Sequence, residues 1–244
     1  MKPVILAALL APAAALARPV AASLDTQSSG FAGNQLQMMG LLALMAIVPF
    51  AIMMLTSFSK IVVVLSIVRS ALGTQQAPPT MVLTGLAAVL SATIMAPTFE
   101  KMWNTGREAY VEVHGGAELM STAARVTEPL RDFLTRHGSP EERARFVDMA
   151  RELRPPEEAN LVSDKDLSVV VPAFVLTELK EAFIIGFLIF LPFLVLDMLI
   201  ANVLLALGMQ TLSPSQVSLP FKILLFVAVD GWALLSRGLI LAYR

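Results

Sequence analysis

From Thr26 to Ser59 the chain carries no charged residue. About twenty apolar residues suffice to cross a bilayer, so this stretch alone decides the kind of solvent the fold must have. The rest of the chain agrees. Of 244 residues, 56% are hydrophobic and only 15% charged, against about 25% charged in an ordinary soluble domain. One core cannot hide that much apolar surface, so a membrane or a large apolar assembly surrounds it. The net charge of −1 gives no electrostatic footprint for nucleic acid.

Catalytic chemistry is missing from the sequence. The chain has no cysteine, which excludes disulfides, thiolate metal sites and cysteine nucleophiles. Its two histidines, His114 and His137, have no acidic or thiol partner at ligand spacing. No phosphate-binding loop, dinucleotide turn, zinc-protease helix or serine elbow is present. The sequence therefore predicts a non-enzymatic membrane protein with no cofactor, no catalytic residue and no metal.

The start, MKPVILAALLAPAAALA, has a basic Lys2, an apolar run Val4–Leu16 and a small-x-small site at Ala15–Ala17. It reads as a secretory signal peptide over residues 1–17, which puts the mature N-terminus outside the cytoplasm. Four apolar spans are expected. The first lies at about 37–58, continuing past Lys60 toward Arg69 with a kink at Pro49. The second lies at 81–98, after a turn at Gly73, Pro78 and Pro79. The third and fourth lie at 182–206 and 220–240. In the second, Thr84, Ala88, Ala92 and Ala96 share one face, and small residues at that spacing admit close helix packing. In the third, Phe183, Phe187, Phe190 and Phe193 form a stripe, with a kink expected at Pro192.

Between the second and third spans the character changes. Glu100 to Ser168 holds ten of the 18 basic and fourteen of the 19 acidic residues, as a water-facing helical insert would. Helices are expected at 117–136 and from Ser139, where a serine N-cap, Pro140 and Glu142 suggest a capping box. Phe146, Met149, Ala150 and Leu153 form its apolar face, and Pro155-Pro156 ends it. The fold class is all-α: a first apolar hairpin (36–98), a charged extracytoplasmic helical domain (100–168) and a second apolar hairpin (170–243).

Charges inside apolar spans cost about 2.5–3.5 kcal/mol each on insertion scales, so those retained need a reason. The residues concerned are Lys60, Arg69, Asp197, Lys222 and Asp230. The lysines and the arginine could snorkel to an interface. Asp197 and Asp230, the deepest, are expected to face a partner or a wet cavity. Glu178, Lys180 and Glu181 would cap the outer end of the third span, with Lys180 serving one glutamate or both awaiting cations on another chain.

Three stretches, SKIVVVLSIVRSALGTQQAPP (59–79), VVPAFVLTELKEAFIIGFLIFLPFLVLD (170–197) and LGMQTLSPSQVSLPFKILLFVAVDGWALLSRGLILAY (207–243), resemble the export-gate subunit family of type III secretion. Its flagellar member is called FliP and its virulence members SctR or HrcR. The resemblance implies an all-helical, non-enzymatic subunit that forms a pentamer with two smaller integral subunits. It implies a place at the centre of the basal body in the bacterial inner membrane, beside the large export-gate protein and basal-body rings. Unfolded secreted proteins would thread through its middle. It also implies that the loop after the third span constricts the pore. The family often has a run of methionines there; the matching positions here are Met209, Gln210, Thr211 and Leu212. LGTQQAPP and GLILAY lean toward the virulence members, the signal peptide toward the flagellar ones. Two other readings use the same residues. One is an ion or solute channel or transporter with Asp197, Asp230 and Lys222 as its path. The other is a membrane scaffold without a pore, assembled through Ala88, Ala92 and the phenylalanine stripe.

Overall fold

The computed structural model describes residues 31–74, 77–112, 116–209 and 211–244. The expected signal peptide, His114 and Gln210 lie outside the described residues. Every element within them is a helix: α1 (Phe31–Leu55), α2 (Phe58–Ala71), α3 (Thr80–Glu112), α4 (Gly116–His137), α5 (Pro140–Glu152), α6 (Pro156–Ala159), α7 (Leu167–Ala206), α8 (Pro214–Ala228) and α9 (Gly231–Leu241). Stretches of Met38–Leu55, Thr80–Glu108 and Leu167–Ala206 are long and apolar enough to cross a membrane. At about 1.5 Å per residue, α7's 40 residues extend about 60 Å, twice a hydrocarbon core of about 30 Å.

The expected fourth span is not one helix. Residues 214–241 form α8 and α9, bent by 60°. The break falls at Asp230, whose backbone is left-handed (φ 51). Gly231 follows, and a Cβ there would run into the Phe226 ring. That ring also packs edge-on against Trp232, 5.2 Å between centroids. The Asp-Gly-Trp motif is thus the corner of a bent pair, with glycine making room for the aromatic wedge. At Pro192 α7 continues as helix.

The chain divides into two compact units: residues 1–56 with 95–175, and residues 57–94 with 176–244. In the second, α2 is the central element. Ile61, Val64, Leu65, Val68 and Ala71 are all buried, a face at i, i+3, i+4, i+7 and i+10. They pack with Leu83, Ala87 and Leu90 of α3, Ala182 and Phe193 of α7, Phe226 of α8 and Leu235 and Leu239 of α9. α7 approaches α2 closely at Gly186, where an added Cβ would stand 2.5 Å from Ile67 Cδ1 and 3.0 Å from Ile67 Cβ.

In the first unit, Gly138 ends α4 beside the backbone of Phe174, and Phe133 packs on Phe174, ring centroids 5.8 Å apart. α5 buries Val147, flanked by Phe146 and Ala150, against Val162 and Val169. Met149 and Leu153, expected on that face, are exposed; the helix is turned so that Glu142 and Val147 lie inward instead. The serine half of the expected capping box is not made: Ser139 stands at the N-cap, but its hydroxyl forms no cap bond. Proline at the first helical position supplies the local start.

Candidate functional site

α7 ends at Ala206, followed by Leu207 and by Gly208 in the left-handed region (φ 71). The Gly208 N–H donates to Leu205 O at 3.0 Å and the Met209 N–H to Leu204 O at 2.9 Å. This bond pair defines a Schellman turn, which satisfies helix carbonyls that would otherwise be orphaned. Met209 is therefore bonded to α7. On the other side, Ser213 stands at the N-cap of α8 without a side-chain cap bond, Pro214 takes the first helical position, and the Ser213 carbonyl accepts from Gln216 and Val217. Between these ends, Leu212 N–H reaches Met209 O at 3.5 Å. Met209, Thr211 and Leu212 are exposed; Gln210 lies outside the described residues. A short, exposed, mixed-polarity loop thus stands between two firmly terminated helices.

The helices flanking the loop are joined below it. Lys222 Nζ donates to Asp197 Oδ2 at 2.6 Å and to the carbonyl of Ala71, the last residue of α2, at 3.1 Å. Ser218, one turn before Lys222, donates to Asp197 Oδ1. One ammonium thus ties α8 to α7 and occupies the negative end of α2, where a cation is favoured. Lys222 is buried while Asp197 stays one-third exposed, at 34%. Lys222 therefore does not snorkel, and Asp197 has a partner within its own subunit while part of it stays exposed.

A second cluster sits 16 residues back along α7. Lys60 is only 2% exposed, so it too does not snorkel. Its Nζ lies 2.7 Å from Glu181 Oε2 and 3.0 Å from Glu178 Oε1, the latter a charge contact outside hydrogen-bond geometry. It also stands 4.3 Å above the Tyr243 ring, whose hydroxyl donates to Glu178 Oε2. Lys60 thus pairs with Glu178 and Glu181. Arg69 is half-buried and donates to Thr80 Oγ1 at 2.8 Å, bridging α2 to the start of α3.

The remaining candidates are dispersed. Asp230 is exposed at the α8–α9 corner. Phe183 and Phe187 are exposed. Phe190 is half-buried and, with Phe183, walls an open groove of about 320 Å³ floored by Val63, Ser66, Ile67 and Ser70. The packing face of α3 is Leu83, Ala87, Leu90 and Ser91; Ala88 and Ala92 lie half-buried at its margin. Among the described residues no group of His, Asp and Glu is placed to hold a metal.

Three participants escaped sequence reasoning: Ser218, Tyr243 and Gly208. Ser218 and Lys222 are i, i+4 neighbours, so their shared face was readable. Gly208, directly after a long apolar run, carries the usual C-terminal stop signal. Tyr243 had no local signal, because its partners are remote in sequence.

Comparison with known proteins bears on these same segments. The FliP family model matches residues 41–239. The hypersensitivity response secretion protein HrcR of Ralstonia nicotianae is 47% identical over 205 residues, covering 82% of this chain and 93% of that protein. The flagellar biosynthetic protein FliP of Caulobacter vibrioides is 39% identical over 240 residues, 98% of this chain and 88% of that protein. The Yop proteins translocation protein R of Yersinia pestis is 40% identical over 218 residues. The matched span contains the loop, the Asp197–Lys222 pair, Lys60 with Glu178 and Glu181, and the Asp-Gly-Trp corner, though not Tyr243, and the chain belongs to the FliP family.

Proposed function

We propose that this chain is a core subunit of the type III protein export gate in the bacterial inner membrane. Several copies, five by family resemblance, assemble with smaller integral subunits around a channel for unfolded secreted proteins. The charged insert lies outside the cytoplasm, and Met209, Gln210, Thr211 and Leu212 line the narrowest part. The identity to secretion and flagellar proteins over most of the chain supports the apparatus. The single observation favouring the loop as constriction is its construction: an exposed short segment carried by two helices that are terminated on either side of it and stapled together about two turns away. A thioether and a leucine can close on copies of themselves and yield to a passing chain. The role is mechanical, so no reaction is assigned to any residue.

The test replaces Met209–Leu212 by glycine in the complete apparatus. Small-ion leak and secretion of a reporter substrate are then measured. Raised leak supports the constriction; unchanged leak with unchanged export rules it out. The channel reading makes a different forecast, namely ion flux from the purified chain alone in liposomes. The scaffold reading expects bulky residues at Ala88 and Ala92 to block complex formation.

A further inference from the structure

We propose that Gly208 is the anchor of this loop and not its hinge, an inference that rests on the loop being the constriction. A glycine beside a gate invites the opposite assignment, because glycine rotates most freely. Three observations decide between the two. First, the φ of 71 at Gly208 accompanies both bonds of a completed Schellman turn. Its conformation is therefore specified, and it docks Met209 onto the end of α7. Second, a Cβ built on Gly208 meets nothing within 4 Å. Space does not require glycine there; only the left-handed backbone does. Third, the loop is held unequally. Met209 N–H bonds α7 at 2.9 Å, whereas Leu212 N–H reaches Met209 O at 3.5 Å, the limit of a hydrogen bond. Met209 is the better-held end, so it stays docked while a passing chain displaces the residues beyond it.

Within the subunit a Cβ at Gly208 meets nothing within 4 Å, so substitutions there act on the subunit's own fold through φ. Asparagine enters the left-handed region more readily than alanine or valine does. Gly208→Asn, Gly208→Ala and Gly208→Val are placed in the complete apparatus in cells. Small-ion leak is read with a membrane-potential dye, export with a secreted reporter, and assembly by the mass of the intact detergent complex. An anchor predicts leak and export near wild type for Asn. It predicts raised leak for Ala and Val, whose cost for a left-handed backbone shifts the docked loop by roughly five- to thirtyfold, with the complex mass unchanged. A hinge predicts that Asn impairs as much as Ala, since both stiffen the backbone. Equal leak for Asn and Ala, or loss of the complex in all three variants, overturns the anchor. The glycine replacement of Met209–Leu212 separates this from the parent reading. If it raises leak while the Gly208 series is flat, only the anchor fails; if it changes neither leak nor export, the constriction itself fails.

Discussion

Breaking the Lys222–Asp197 pair should be asymmetric, and the asymmetry follows from burial. The Lys222 side chain is 5% exposed and that of Asp197 34%. In Asp197→Asn the ammonium stays charged and enclosed, with Ala71 O and a neutral amide as partners. Leaving a buried charge without its counter-ion costs about 3–5 kcal/mol; the part-exposed carboxylate places this case near the lower end, at about 3 kcal/mol. In Lys222→Met the remaining carboxylate keeps the Ser218 hydroxyl and its exposed face, so the loss is about 1–2 kcal/mol. The double variant removes both charges and fills the space with an apolar stem. Such replacements are often neutral, so it should return to within about 1 kcal/mol of wild type. Thermal unfolding of the purified protein in detergent reads this directly. A loss of 3 kcal/mol corresponds to a drop of about 6–12 °C at this chain length. Two results would refute the reasoning: a double variant as unstable as the two singles summed, or Lys222→Met falling below Asp197→Asn.

Other sites make independent forecasts. Gly186→Ala should cost about 1–3 kcal/mol, because its Cβ would overlap Ile67. Adding Ile67→Ala should recover at least half, and a double variant worse than either single would show that the helices do not meet there. Asp230 is exposed and left-handed, so Asp230→Gly and Asp230→Asn should keep stability and export. Asp230→Val should lose about 1–2 kcal/mol on backbone grounds. Asn behaving like Val would mean that the charge, not the backbone, is what the corner needs.

Helix positions were largely legible because periodicity and punctuation are local. The sequence places insert helices at 117–136 and from 139; the structure has Gly116–His137 and Pro140–Glu152. What escaped was pairwise and long-range. Lys60 looked like a snorkelling end charge because its partners, Glu178, Glu181 and Tyr243, lie more than a hundred residues away. The bend at Asp230 was hidden for a different reason. Apolar composition continues through residues 220–240, and a hydropathy pattern cannot distinguish one span from two helices joined at a left-handed corner. The face of α5 was misread because Glu142 is buried beside Arg145, 3.1 Å away, and a buried carboxylate contributes nothing to an apolar stripe. At the candidate loop, the helix stops on both sides were readable as Gly208 and Ser213-Pro214. The staple beneath it was not, since Asp197, Lys222 and Ala71 come from three separate helices.

The two ion-pair clusters also explain how the second, strongly apolar unit settles on one internal arrangement. Where apolar surface surrounds a bundle, burying more apolar surface discriminates poorly between alternative packings, and polar contacts and close helix approach decide instead. Along α7, Glu181 and Asp197 lie 16 residues apart, about 24 Å of helix. At the first, α2 and the C-terminal tyrosine are fixed; at the second, α8 and the end of α2. Sliding either neighbour by one turn would strand a lysine and its carboxylate together. Gly186 adds the steric half of the same register, since a Cβ there would overlap Ile67. With the register held from inside, Phe183, Phe187 and Leu188 need not contribute to the subunit's own core and are exposed, free for whatever apolar surface covers them. The charges that seemed expensive in these helices therefore hold their register, and many of the apolar residues are outer surface, in keeping with a composition too apolar for one core.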